Sequence, residues 1–202
     1  MNYIDSLPNL ESTKNFNSLF DVEQLKNSFW NSFRTYFTTN SQLEKSKAKL
    51  KCIYINSYFC SDIPLNPNIN IFTAPHGFYG IFISNGAKIG TGCTIFQHVT
   101  IGSNTLLDSK NSGTPTVGNN VYIGAGAKII GNVKIGNNVR IGAGCTVTRD
   151  VPDNCTVAQS APFVLQKETP QDNRWFPLPN YRKMKSGNNA PPHSEFFFCQ
   201  CA

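Results

Sequence analysis

The chain has 202 residues, 40% of them hydrophobic and 15% charged, with a formal net charge of +6. That suits one folded domain with an appendage rather than a disordered polymer, and no apolar run approaches the roughly 20 residues that span a bilayer. The basic residues form no block and no aromatic-plus-basic recognition motif, which argues against nucleic acid and leaves a phosphate-bearing or acidic small molecule as the better match.

Residues 1–20 lack the basic start and apolar centre of a secretory leader, so the cytoplasm is the expected compartment. The seven cysteines are scattered, odd in number and without paired metal spacing, and are expected as thiols. Asp21 is placed to cap a helix over 22–38, with Leu25, Phe29, Phe33 and Phe37 on one apolar face. A second helical stretch over 41–58 carries Leu43, Leu50, Ile53 and Tyr54, which are expected to pack. Residues 1–61 thus read as a helical segment.

From Asp62 the pattern changes. Val117, Ile123, Ile129, Ile135, Ile141 and Val147 stand six apart, and Ile83, Ile89, Ile95 and Ile101 keep the same step upstream. A period of six fits neither a helix nor a flat strand, and points to a parallel β-helix whose repeats are the sides of a coil. Two residues before these positions stand Val121, Ala127, Val133, Val139 and Cys145, which suit short flat faces. Gly and Asn are expected at the corners, where positive φ is needed. The step from Ile101 to Val117 is ten residues too long, so a loop over 104–115 must leave the coil. The coil is expected to run over 62–165, with 166–202 as an extended C-terminal tail.

His76 lies in Ala74-Pro75-His76-Gly77-Phe78-Tyr79-Gly80, just ahead of the regular repeat. The flanking Pro and Gly fix it at an irregular point on a stiff scaffold, which makes it a candidate general base. His98 follows Gln97 inside the coil, where it either touches a substrate or packs into a corner. His193 lies in the tail after two prolines.

The run Pro75-His76-Gly77-Phe78-Tyr79-Gly80, with Ile95-Phe96-Gln97-His98-Val99-Thr100-Ile101-Gly102 and Val121-Tyr122-Ile123-Gly124-Ala125-Gly126-Ala127-Lys128-Ile129, resembles the hexapeptide-repeat acyltransferases. The similarity covers about residues 62–165. It is nearest to the serine acetyltransferase-like group, which includes capsule and lipopolysaccharide O-acetyltransferases. The resemblance implies a mainly β, left-handed parallel β-helix, a homotrimer, and active sites between neighbouring subunits. It implies acetyl-CoA as cosubstrate, no tightly bound cofactor and no metal, with His76 taking the proton of the acceptor hydroxyl.

Asp62 stands fourteen residues before His76, one short of the family's orienting Asp, and either orients the imidazole or opens a turn. Ala125 and Ala143 match the small residues whose backbone amides meet CoA in the family. Thr148 and Arg149 match its motif near the adenosine and phosphate end, and Ser103 and Asn104 its residues near the pantetheine arm. Arg140 and Lys167 either add charge for the phosphates or sit as solvated residues. Thr114 occupies the place of a second family His that holds serine, and the helical segment is shorter than the family's. Both departures favour a saccharide acceptor, a unit of a surface polysaccharide, with serine O-acetylation as the alternative. Two other readings on the same coil fare worse. A zinc-dependent carbonic anhydrase needs three histidines, two closely spaced, and an ice-binding scaffold needs threonine ladders.

Overall fold

The structure is a computed structural model that describes residues 21–160, 162 and 164–171. The calls on Cys199, Cys201, His193 and most of the tail lie outside the described residues. The chain divides into two units, Met1–Ser160 and Ala161–Ala202. The described part of the second unit is exposed and carries no helix or strand.

Helix α1 spans Val22–Thr38 and α2 spans Gln42–Tyr58. Asp21 caps α1: its side-chain oxygen accepts from the backbone N–H groups of Glu23 at 2.9 Å and Gln24 at 3.4 Å. Ser41 caps α2 through the Glu44 N–H. Phe29, Trp30 and Phe33 are buried on α1, and Phe37 is 40% exposed.

On α2 the expected packing face is corrected. Leu43, Leu50, Ile53 and Tyr54 are all exposed, and Ala48, Cys52 and Ile55 are buried instead. Ala48, Cys52 and Ile55 form one stripe that leads into the buried Phe59, whose ring packs on Phe78, and that stripe turns inward. Cys52 lies with its Sγ 3.8 Å from the Phe29 carbonyl.

Among the described residues eleven short strands follow. They are β1 (Phe82–Ile83), β2 (Lys88–Ile89), β3 (Thr94–Ile95), β4 (Thr100–Gly102), β5 (Thr116–Val117), β6 (Tyr122–Ile123), β7 (Lys128–Ile130), β8 (Lys134–Ile135), β9 (Arg140–Ile141), β10 (Thr146–Val147) and β11 (Thr156–Val157). They form three parallel sheets, ordered β1-β4-β7-β10, β2-β5-β8 and β3-β6-β9-β11. This is a three-sided parallel β-helix. Each strand pairs with the strand one turn away, so Ile95, Ile123 and Ile141 stack in register, as do Ile83, Ile101, Ile129 and Val147. These side chains are at most 3% exposed, and each contributes about 1.5–3 kcal/mol on burial.

Phe82 pairs with Thr100, 18 positions on, whereas Thr100 pairs with Lys128, 28 on. Ten residues therefore leave the coil. The excursion is pinched shut where Asn104 and Gly113 exchange backbone hydrogen bonds, each of 2.9 Å. One corner carries Asn120, Asn138 and Asn154 at φ of 53°, 56° and 60°. Their side-chain amides form a ladder, Asn120 donating to Asn138 and Asn138 to Asn154 at 2.8 and 3.0 Å. Asn suits the left-handed region and adds the bond that glycine cannot.

Candidate active site

His76 owes its position to a corner that is longer than the coil requires. Thr73 pairs with Thr94, 21 positions on, while Phe82 pairs with Thr100, 18 on. Three extra residues thus bulge out between Thr73 and Phe82, and His76 is exposed on that bulge. The helices fix the bulge from inside. Phe78 is fully buried against Phe29 at 5.2 Å and Phe59 at 5.5 Å between ring centroids, and Trp30 meets Phe72 at 5.1 Å. Lys26 Nζ donates to the Ala74 carbonyl at 3.0 Å. Gly77, at φ +80°, has no room for a side chain against Phe59.

The His76 ring lies 5.7 Å from the Phe96 ring, and Phe96 lies 5.0 Å from Tyr122. Asp62 is exposed and bridges through its backbone to Phe82 at the start of the first sheet. Neither a hydrogen bond nor an ion pair joins it to His76.

Ala125 and Ala143 stack one turn apart at a single corner, linked by the Gly144 N–H donating to the Ala125 carbonyl at 2.8 Å. Their own N–H groups donate to no described residue, which leaves two backbone donors aligned along the coil axis. His98 shares this corner. It is exposed at φ 59°, where the neighbouring turns have Gly80, Gly126 and Gly144, and its imidazole occupies the space that a side chain at Gly80 would need.

Ser103, Asn104, Thr148 and Arg149 fall at the next corner. Ser103 and both Thr148 and Arg149 are exposed. The Asn104 side chain is occupied within the loop, accepting from the Leu106 N–H and donating to Ser109 Oγ at 2.8 Å. Asn111 reaches back from the loop to donate to the carbonyls of Ile130 and Thr148, at 3.2 and 3.1 Å. Arg140 stands outward on the sheet of Tyr122, in register with it and with Thr156. Lys167 belongs to the second unit, where it is exposed.

The structure thus gathers the candidates onto two adjacent corners with the first sheet between them. His76, Ala125, Ala143 and His98 flank one edge of that sheet, and Ser103, Asn104, Thr148 and Arg149 the other. Sequence reasoning missed Lys26, which ties down Ala74, and the neighbouring rings of Phe96 and Tyr122, the first of them beside His76. Their signal was weak but present: Phe96 and Tyr122 are large rings at outward positions of a repeat.

The family model for the bacterial transferase hexapeptide, six repeats, matches residues 114–149. A serine acetyltransferase of Staphylococcus aureus is 33% identical over 150 residues, covering 70% of this chain and 69% of that protein. The chain belongs to the hexapeptide-repeat acyltransferases. A serine acetyltransferase of Synechococcus elongatus is 52% identical over 82 residues, covering 41% of this chain and 32% of that protein. Among solved structures, serine acetyltransferase isoform 3 of Entamoeba histolytica in complex with cysteine matches with a TM-score of 0.51 at 33% identity, covering 70% of this chain and 46% of that one. The Brucella abortus serine acetyltransferase in complex with coenzyme A matches with a TM-score of 0.53 at 28% identity, covering 67% and 52%. The chain therefore spans a third to a half of the length of several relatives. With these neighbours the coil is the left-handed parallel β-helix, preceded by a helical segment.

The family placement corrects the expected acceptor. The similarity to a serine acetyltransferase runs over 70% of the chain, which favours serine O-acetylation over a saccharide acceptor. Thr114, which had favoured a saccharide, donates its hydroxyl to the Gly86 carbonyl at 3.0 Å. No helix among the described residues is long and apolar enough to cross a membrane.

Proposed function

We propose that this protein is an acetyl-CoA-dependent O-acetyltransferase that acts on the hydroxyl of serine, with His76 as general base. The observation that carries this reading is the similarity to serine acetyltransferases over 70% of the chain, combined with a histidine held on a braced, exposed bulge. The neutral imidazole takes the proton of the serine hydroxyl as the oxygen attacks the thioester carbonyl. The tetrahedral intermediate collapses by breaking the carbon–sulfur bond, and the proton passes from the imidazolium to the departing CoA sulfur. Proton transfer of this kind contributes about 10²–10⁴-fold, and holding the two substrates together contributes more.

Acetyl-CoA enters as a cosubstrate rather than a resident cofactor. The unpaired N–H groups of Ala125 and Ala143 suit the amide carbonyls of its pantetheine arm. Ser103 and Asn104 are proposed beside that arm, with Thr148 and Arg149 at its nucleotide end, where guanidinium groups pair with phosphates. Asp62 is proposed to orient His76, within one subunit or across a homotrimer interface. The complex of the Brucella relative with coenzyme A supports the donor, and the cysteine in the Entamoeba complex is an amino acid of serine's size and charge.

The test is release of free CoA thiol from acetyl-CoA with and without L-serine. Serine-dependent release with saturation in both substrates is the expected result. Release that ignores serine overturns the reading.

A further inference from the structure

We infer that Phe96, braced by Tyr122, is a positioning residue that holds the His76 imidazole in its working orientation. The inference rests on the reading of His76 as the base. Three observations lead to it.

First, the imidazole needs a restraint. His76 is exposed on the bulge, and among the described residues no group hydrogen-bonds its side chain. Its recorded ring contact is Phe96, at 5.7 Å and 60° between planes. That separation lies within the range at which tilted rings attract each other.

Second, the coil does not ask for an aromatic ring at position 96. The Phe96 N–H donates to Ile123, as Gly124 does to Ile141 and Gly142 to Val157, so the three share one column. The later turns take glycine there, and Gly124 has no room for a Cβ against Ala143. Of these three turns, only the one beside His76 carries a large side chain in that column.

Third, the ring is itself supported. Tyr122 packs 5.0 Å from Phe96 at 52°. Tyr122 is 45% exposed, so its ring is not needed to close the core. The row therefore runs from Tyr122 through Phe96 to His76, on the outside of the coil. An aromatic side chain has few rotamers and little entropy to lose, which makes it a suitable wall for a mobile imidazole. A base displaced by about an ångström loses on the order of a hundredfold in rate.

The experiment compares Phe96→Ala, Phe96→Tyr and Tyr122→Ala with the wild-type chain. It measures kcat and both KM values with acetyl-CoA and L-serine, and the His76 ring-proton resonances by NMR. Phe96→Ala is expected to lower kcat by about ten- to a hundredfold, with the KM for acetyl-CoA little changed. Its His76 resonances should move as the ring current is lost. Phe96→Tyr should restore both. Tyr122→Ala should have a smaller effect that does not add to that of Phe96→Ala, because the two act through one contact. Melting curves of each variant identify a loss due to unfolding, in which case Phe96→Leu takes the place of Phe96→Ala.

Unchanged kcat and unchanged His76 resonances in a folded variant without the ring overturn the inference. So does a lower kcat with His76 resonances that stay in place. If the wild-type chain leaves serine untouched while the His76 resonances still depend on Phe96, the substrate reading fails and the positioning inference stands.

Discussion

His76 sits where three residues too many force the backbone out of the coil, and the aromatic rings of α1 and the end of α2 hold that backbone from within. The side chain is exposed while its carrier is rigid, the arrangement expected of a group that must meet two substrates. Replacing His76 by Ala removes only an exposed imidazole. We expect kcat to fall by about 10²–10⁴-fold, with affinity for CoA, measured by calorimetry, unchanged. His76 was legible along the chain because Pro75 and Gly77 bracket it. Phe96 was only faintly legible, as a large ring at an outward position, since its contact with His76 lies twenty residues back, on the adjacent turn.

The thiols give a second prediction at this scale. Burial pushes the Cys52 thiol up from 9.0 to about 11, with nearby Lys51 opposing it, and burial also raises Cys93. Cys60 is exposed. Peptide mapping after brief iodoacetamide treatment at pH 8 should show Cys60 alkylated, with Cys52 and Cys93 protected. The folded Cys52 holds its proton more tightly than the unfolded thiol. Its contribution to stability is therefore complete below pH 9 and is lost as pH rises towards 11.

At the scale of elements, the period of six in the sequence becomes three stacked ladders of Ile and Val. Ile123, fully buried in the middle turn with Ile95 and Ile141 on either side, carries one of them. Ile123→Ala is expected to cost about 2–5 kcal/mol, read as a lower midpoint in urea or a lower Tm. No loss would mean that the stack does not support the coil. The ladders were legible because each turn repeats the same few positions. The Asp21 cap was legible because capping is a local event. The inward face of α2 was not. Leu43, Leu50, Ile53 and Tyr54 are large and apolar and yet face outward. Which side a helix buries depends on its partner, and here the stripe of Ala48, Cys52 and Ile55 leads into Phe59, whose ring packs on Phe78.

At the scale of the whole molecule, the regular coil provides two corners and a flat sheet between them, and the irregular segments supply what differs. The loop over 104–113 is tied to the coil through Asn111, so the proposed pantetheine residues Ser103 and Asn104 and the proposed nucleotide-end residues Thr148 and Arg149 are held as one unit. The fold was readable from the repeats and motif positions. The acceptor was misread from two departures, Thr114 in place of a histidine and the shorter helical segment, and the similarity to serine acetyltransferases over 70% of the chain overrides them. Differences at single positions say less about an acceptor than the similarity of the whole coil.

The central claim is that acetyl passes from acetyl-CoA directly to the serine hydroxyl, with His76 as the base that takes the hydroxyl proton. Mass spectrometry of the products formed from acetyl-CoA and L-serine, by the wild-type chain and by His76→Ala at equal concentration, tests it most directly. The account predicts O-acetylserine and free CoA in equal amounts from the wild type, and a loss of both by about a hundredfold or more in the variant. Acetylated serine formed equally well without His76, or none formed by a wild-type chain that binds CoA, would contradict it.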